Sequence, residues 1–214
     1  MDELDTPQGG GLAAGEQDPR SRERLLRAAV AVFDRKGYAA ASVREIVEQA
    51  GIAKPALYYH FGSKEGILVA ILEEGARQFE RALSRAVERS GTAHERLAAL
   101  CDEVYALHKQ HVPVVRVAHA VFFGPKDSVP AFDFERFRRT LESALGRIIE
   151  EGMASGELRQ ARIEDVSTAI RGVLEICTDQ ELGPCGSPIA CESLHRVLDL
   201  IFDGLSATRK EKEN

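Results

Sequence analysis

Between residues 54 and 64 the chain crowds Lys54, Tyr58, Tyr59, His60 and Lys64, side chains suited to donating to phosphate oxygens. A phenol or an imidazole gives one such hydrogen bond, and an ammonium can also reach guanine O6 and N7. The competing reading is an ordinary αα-hairpin whose polar side chains face water. Other groups complete less. His108 and His111 lie three apart, a spacing that can hold a metal, but no firm third ligand accompanies them, and exposed or hydrogen-bonded histidines fit as well. Glu192-x-x-His195 is one pair where a di-iron bundle needs two and two further carboxylates, so it reads as a surface i,i+3 pair. Gly9-Gly10-Gly11 lacks G-x-G-x-x-G spacing and follows no strand. With no G-x-S-x-G, H-E-x-x-H or P-loop, no enzyme, cofactor or metal is expected. Four cysteines without a CxxC pair fit reduced, inert thiols, the alternative for Cys177, Cys185 and Cys191 being a disulfide or redox switch near the last helices.

The charges around these residues are unevenly spread. The net charge is -6 over 214 residues, yet from Pro19 to Lys64 nine basic residues (Arg20, Arg22, Arg24, Arg27, Arg35, Lys36, Arg44, Lys54, Lys64) face four acids (Glu23, Asp34, Glu45, Glu48). A basic block on an acidic chain favours one phosphate-binding face over general coating of DNA, although a solvated helix face has the same signature. Residues 1–18 carry five acids and no Lys or Arg, the reverse of a secretory leader, so a cytoplasmic protein with a disordered acidic tail is expected. Arg116 and Arg171 interrupt the two most apolar runs, which leaves no membrane span. At 44% hydrophobic and 29% charged the chain can bury a proper core.

The elements that must position these groups read as all-α, about nine helices. Asp18 caps a helix with Pro19 in its first turn, and Leu25, Leu26, Ala29, Val32 and Phe33 recur at helical spacing until Gly37. Ser42-Val43-Arg44-Glu45 is a capping box opening a short helix that Gly51 stops, and a second short helix runs from about Ala53 to Tyr59 before Gly62. Two short helices joined by a tight glycine turn make a helix-turn-helix, which presents the start of its second helix to the major groove. Ser63 caps a long helix toward Ser90, Thr92 opens one to about Gln110, and Pro113 opens one to Phe123. After the Gly124-Pro125-Lys126-Asp127 turn, helices are expected over Pro130–Ala154, Asp165–Leu182 and Pro188–Leu205, the last two separated by the 183–187 loop.

The run from Ser42 to Glu65, with its Ala50-Gly51-Ile52 turn, Leu57-Tyr58-Tyr59-His60-Phe61 core and Ser63-Lys64-Glu65 cap, resembles the N-terminal domain of the tetracycline-repressor (TetR) family of bacterial regulators. The resemblance covers about residues 20 to 70; the remainder is similar only in helix number and length. It implies a recognition helix holding Lys54 to His60, with Tyr58, His60 and Lys64 at phosphate-contacting positions and Lys54 and Tyr59 at base-contacting ones. Ser42, Arg44, Pro55 and Ala56 complete the DNA-binding set, the Ala56 methyl being placed to pack on a thymine methyl. Two residues depart from the family pattern. Ala53 stands where a capping Ser or Thr is common, which should cost this helix start about 1 kcal/mol, and Pro55 replaces a common Gly.

The resemblance further implies a domain order of 1–18 tail, 19–66 helix-turn-helix domain, 67–207 ligand-binding and dimerisation domain, and 208–214 charged tail. The ligand cavity would be lined by Phe79, Leu83, Leu100, Val104, Tyr105, Val117, Val121, Phe122, Phe134, Phe137, Leu141 and Leu174, with His108, Arg138 or Arg171 fixing a polar or acidic end of an apolar effector. For each apolar residue plain core is the competing reading, and for His108, Arg138 and Arg171 it is a group that faces water or has a partner within the fold. Broad stripes on the last two helices, Val166, Ile170 and Val173, then Leu194, Val197, Leu198, Ile201 and Leu205, suit a four-helix interface between two copies or burial within one. The function expected is a homodimeric transcriptional repressor that binds a pseudo-palindromic double-stranded operator and answers to a small-molecule effector. A helical-bundle adaptor that binds no DNA is the alternative.

Overall fold

The computed structural model describes residues 18–125, 130–182 and 191–205, and these form nine α-helices. They are α1 (Pro19–Lys36), α2 (Val43–Ala50), α3 (Lys54–Phe61), α4 (Lys64–Glu88), α5 (Ala93–Gln110), α6 (Val112–Phe123), α7 (Glu135–Ser155), α8 (Ile163–Leu182) and α9 (Cys191–Leu205). The acidic tail, the 126–129 and 183–190 segments and the C-terminal tail lie outside the described residues.

The chain divides into two compact units, one of residues up to 72 together with 119–131, the other of 73–118 and 132 onward. Ile67, Leu68, Ile71 and Leu72 of α4, all buried, fall in the first of these units. In the first unit α1 packs on α2 and α3, and α2 on α3. Leu25, Ala29 and Val32 of α1, Ile46 of α2, and Ala56 and Leu57 of α3 are fully withdrawn from water, and each larger one contributes about 1.5–3 kcal/mol by burial.

The helix starts obey local chemistry. Asp18 accepts from the Arg20 amide at 2.9 Å, and reciprocal capping boxes join Ser42 to Glu45 and Thr92 to Glu95. One expected boundary is wrong: α7 begins at Glu135 rather than Pro130. Phe132 and Phe134 pair edge-on at 5.0 Å, and residues two apart cannot face each other on a helix, so the chain turns here instead. α8 starts two residues earlier than expected, at Ile163.

In the second unit α5 packs on α7, α8 and α9, and α8 touches α7 and α9. One core joins Leu97, Leu100 and Val104 of α5 to Leu145 and Ile148 of α7, Ile170 and Leu174 of α8, and Leu194 and Leu198 of α9. α5 and α7 approach so closely at Gly152 that a Cβ there would lie 2.6 Å from that of Ala93. Gly172 of α8 is the opposite case, since among the described residues nothing lies within 4 Å of where its Cβ would sit. Arg159 closes the far end of α9, its amide donating to the Leu205 carbonyl at 2.9 Å and its Nε to that of Gly204 at 2.7 Å.

Candidate nucleic-acid interface

Gly51 takes the left-handed conformation (φ 61°) that ends α2 and lets α3 start three residues later. Ala53 makes no side-chain cap, and Pro55 occupies the first turn of α3, where its missing N–H is harmless. With Ala56 and Leu57 anchored inward, the opposite face of α3 presents Lys54, Pro55, Tyr58 and Tyr59 to water, the two tyrosines 46% and 56% exposed. Positions i, i+1, i+4 and i+5 form one continuous helical stripe. Within it the Lys54 ammonium stands 5.7 Å from the Tyr58 ring centroid, a cation–π pair between two side chains of the stripe. His60 is half-buried beside this stripe, edge-on to Tyr59 at 5.0 Å and tilted against Phe61 at 6.1 Å.

Three expected contacts stand differently. Ala56 is 0% exposed, packed inward where α3 meets its neighbours, so its methyl cannot reach a thymine. The Ser42 hydroxyl accepts from the Glu45 amide at 3.2 Å and donates to Glu45 Oε2 at 2.9 Å, so its bonding is committed within the helix start. Lys64 points inward: its Nζ donates to the carbonyls of Tyr38 and Ala41 at 2.9 Å each and stands 4.4 Å from the Tyr38 ring centroid. Arg44 is exposed and pairs with Glu48 at 2.6 Å, one turn along α2.

Sequence reading counted Arg22, Arg24 and Lys36 only as charge. Arg24 Nη2 donates to the Ala50 carbonyl at 2.5 Å and reaches that of Gly51 at 3.3 Å, Arg22 lies 5.4 Å over the Phe61 ring, and Lys36 donates to Glu45. These partners are 9 to 39 residues away in the chain, so no local spacing signals them. The Lys36 ammonium, and then the Ser42 hydroxyl and amide, hold the Glu45 carboxyl down at about 2.

The expected effector residues fall in the second unit except for Val121 and Phe122, which belong to the first. Phe79, Leu83, Leu100, Val104, Tyr105, Leu141 and Leu174 belong to the buried core of the second unit, with Phe137 packed against it 5.5 Å from Phe79. Val117 and Val121 are also buried. Phe134 stacks at 6.3 Å on Phe137. Arg138 lies on the outside, paired with Glu135 and with Glu142 at 2.5 Å, and Phe122 is an exposed ring set edge-on to Phe123 at 4.7 Å; neither lines a core. Arg171 is half-buried and bonds Glu142 at 2.9 Å. His108 Nδ1 lies 2.7 Å from the Thr178 hydroxyl, whose own proton goes to the Leu174 carbonyl, so Nδ1 carries the hydrogen between them. A groove of about 610 Å³ opens between α5 and α9, floored by Ala98, Ala99 and Ala106, and borders none of these fifteen residues. His195 donates to Asp102 across it at 2.8 Å.

On α8 and α9 the expected interface stripe is mostly core of its own chain: Val166, Ile170, Leu194, Leu198 and Leu205 are buried, and Val173 and Ile201 pack against them. Of the eight, Val197 faces outward, together with Ile176 and Leu200. The stripe was broad because these helices bury one edge and leave a second apolar edge open. Burial pushes the Cys101 thiol up to about 12, and Cys177 is likewise buried and free, while Cys185 and the Cys191 side chain lie outside the described residues. Among the described residues no three His, Cys, Asp or Glu side chains gather as a metal site, and no helix is long and apolar enough to cross a membrane.

A buried-faced helix presented after a glycine turn, with a donor-rich outer stripe, defines a helix-turn-helix protein. The family model described as bacterial regulatory proteins, tetR family, matches residues 25–71, so this stretch of the chain is similar to that family. The HTH-type transcriptional activator FasR of Mycolicibacterium smegmatis is 35% identical over 98 residues, 45% of either chain. The chain thus spans less than half the length of the curated relatives it matches first. Among solved structures, the TetR family transcriptional regulator PfmR from Thermus thermophilus superposes with a TM-score of 0.69 at 26% identity, over 84% of this chain and 97% of that one. FadR from Bacillus subtilis, solved in complex with stearoyl-CoA, shares the fold with a TM-score of 0.70 at 22% identity, over 86% and 98%.

Proposed function

We propose that this protein is a homodimeric transcriptional repressor that binds a pseudo-palindromic DNA site and is modulated by an amphipathic small molecule. The observation that carries the reading is the exposed stripe of Lys54, Pro55, Tyr58 and Tyr59 on a helix fixed by the Gly51 turn. One such helix reads too few base pairs for useful specificity, so two copies one helical turn apart, about 34–36 Å, are required. The open edge formed by Ile176, Val197 and Leu200 supports α8 and α9 as the surface joining them. Repression needs only occupancy of the site; FasR is named an activator, and a promoter-fused reporter decides the sign.

A fatty acyl thioester is the effector class we favour. It fits an aromatic group in the second unit, where Phe137 adjoins Phe79 and is in turn met by Phe132 and Phe134, and it is the kind of molecule carried by FadR of Bacillus subtilis. Phe79 belongs to the buried core and Phe137 packs against it, while Phe132 and Phe134 are half-buried beside it, so the acyl chain would stabilise an arrangement opened at this edge.

The test is binding to the duplex upstream of the protein's own gene across a salt series. Affinity should fall steeply with salt, and Lys54→Ala should cost about 1–3 kcal/mol and relax discrimination at one base pair. Absence of duplex binding at low salt would instead make the protein a helical-bundle adaptor.

A further inference from the structure

Two cations of the basic block face the protein's own backbone. α2 has eight residues, two turns, too short to stand by its own hydrogen bonds. Before it, carbonyls of the 38–41 segment have no helix to join, and Lys64 from the first turn of α4 donates to Tyr38 and Ala41 at 2.9 Å with Ala39 at 3.5 Å. Three N–H groups aimed at three carbonyls, with the ammonium also over the Tyr38 ring, use all the directions an ammonium offers. After it, the last carbonyls of α2 are the negative end of the helix, and Arg24 from α1 donates to those of Ala50 and Gly51. The helix that sets the direction of α3 is thereby held at both ends, from two different helices.

We propose that Lys64 and Arg24 are positioning residues of the DNA-binding unit, which clamp the two ends of α2 and so aim α3, and that neither gives its charge to DNA phosphate. This rests on the DNA-binding reading above for its effect on affinity, but the clamp itself does not. A phosphate-contacting cation and a clamp part company in salt. Loss of one phosphate contact lowers the slope of log K against log salt by about 0.9, whereas loss of aim weakens binding with the slope kept.

The experiment uses full-length Lys64→Met and Arg24→Met, with Lys64→Arg and Arg24→Lys as conservative partners, titrated against the duplex at several salt concentrations well below each variant's melting temperature. The expected result is about a tenfold loss for each methionine variant at every salt, an unchanged slope, and at least partial recovery in the conservative variants. Amide hydrogen exchange without DNA should show faster exchange over residues 46–52 while α5 is unaffected. A slope lowered by about one unit with α2 exchange unchanged would overturn the clamp and return Lys64 or Arg24 to the phosphate contacts. If the methionine variants do not fold, exchange in Lys64→Gln and Arg24→Gln decides, since a weakened clamp must appear over 46–52 and unperturbed amides would refute it. Should the unaltered protein bind no duplex, the functional reading falls, and exchange alone still tests the clamp.

Discussion

Glu45 stands at the crossing of two devices, accepting from Lys36 on one oxygen and closing the Ser42 capping box with the other. Its folded carboxyl is held down at about 2 from 4.5, so the stabilisation it gives is complete above 4.5 and is lost as pH falls toward 2. Glu45→Gln should therefore melt earlier than the unaltered protein at pH 6, with a gap that narrows by pH 3; a pH-independent gap would mean that shape rather than charge holds the box. The capping half of this arrangement was legible, because Ser42 and Glu45 have the i,i+3 spacing that capping demands. The Lys36 half was not, nor were the inward turns of Lys64 and Arg24. A long flexible cation looks the same in sequence whether it faces phosphate or a carbonyl, and only the tertiary neighbour decides.

At the scale of elements, capping and glycine signals located α1, α2 and α5 to the residue, since their boundaries are set by local hydrogen bonds. The start of α7 was misplaced because aromatic packing around Phe132 and Phe134 outweighs helical periodicity there. Periodicity likewise showed that α8 and α9 are apolar on more than one edge without telling which edge stays inside. The two edges give opposite predictions. Leu198 is 1% exposed, so Leu198→Asp puts an unpaired carboxylate in the core and should unfold the second unit. Leu200 is 72% exposed, so Leu200→Asp should leave the helical circular dichroism and melting of the chain nearly unchanged while sedimentation shifts to the monomer. A dimer that survives Leu200→Asp would place the interface on another surface.

For the molecule as a whole, an effector acts only through its different affinity for the DNA-bound and free arrangements. A tenfold fall in operator binding requires about 1.4 kcal/mol of coupling, and DNA must weaken the effector by the same factor. Stearoyl-CoA should raise the melting temperature, raise the operator dissociation constant and itself bind tenfold more weakly in the presence of operator, as read by calorimetry. Tight binding that leaves operator affinity untouched would make the ligand a stabiliser and not a signal. The glycines of the second unit speak to the same scale. Gly152 is explained by the α5–α7 contact, but Gly172 sits inside α8 with no neighbour that needs the space, and a glycine inside a helix costs about 1 kcal/mol relative to alanine. It lies one turn from the exposed Ile176, so in the proposed dimer the space beside it would admit the backbone of a second copy. Gly172→Ala should accordingly make the isolated subunit more stable and the assembled pair less so, one methyl group with opposite signs in denaturant titration and in dilution.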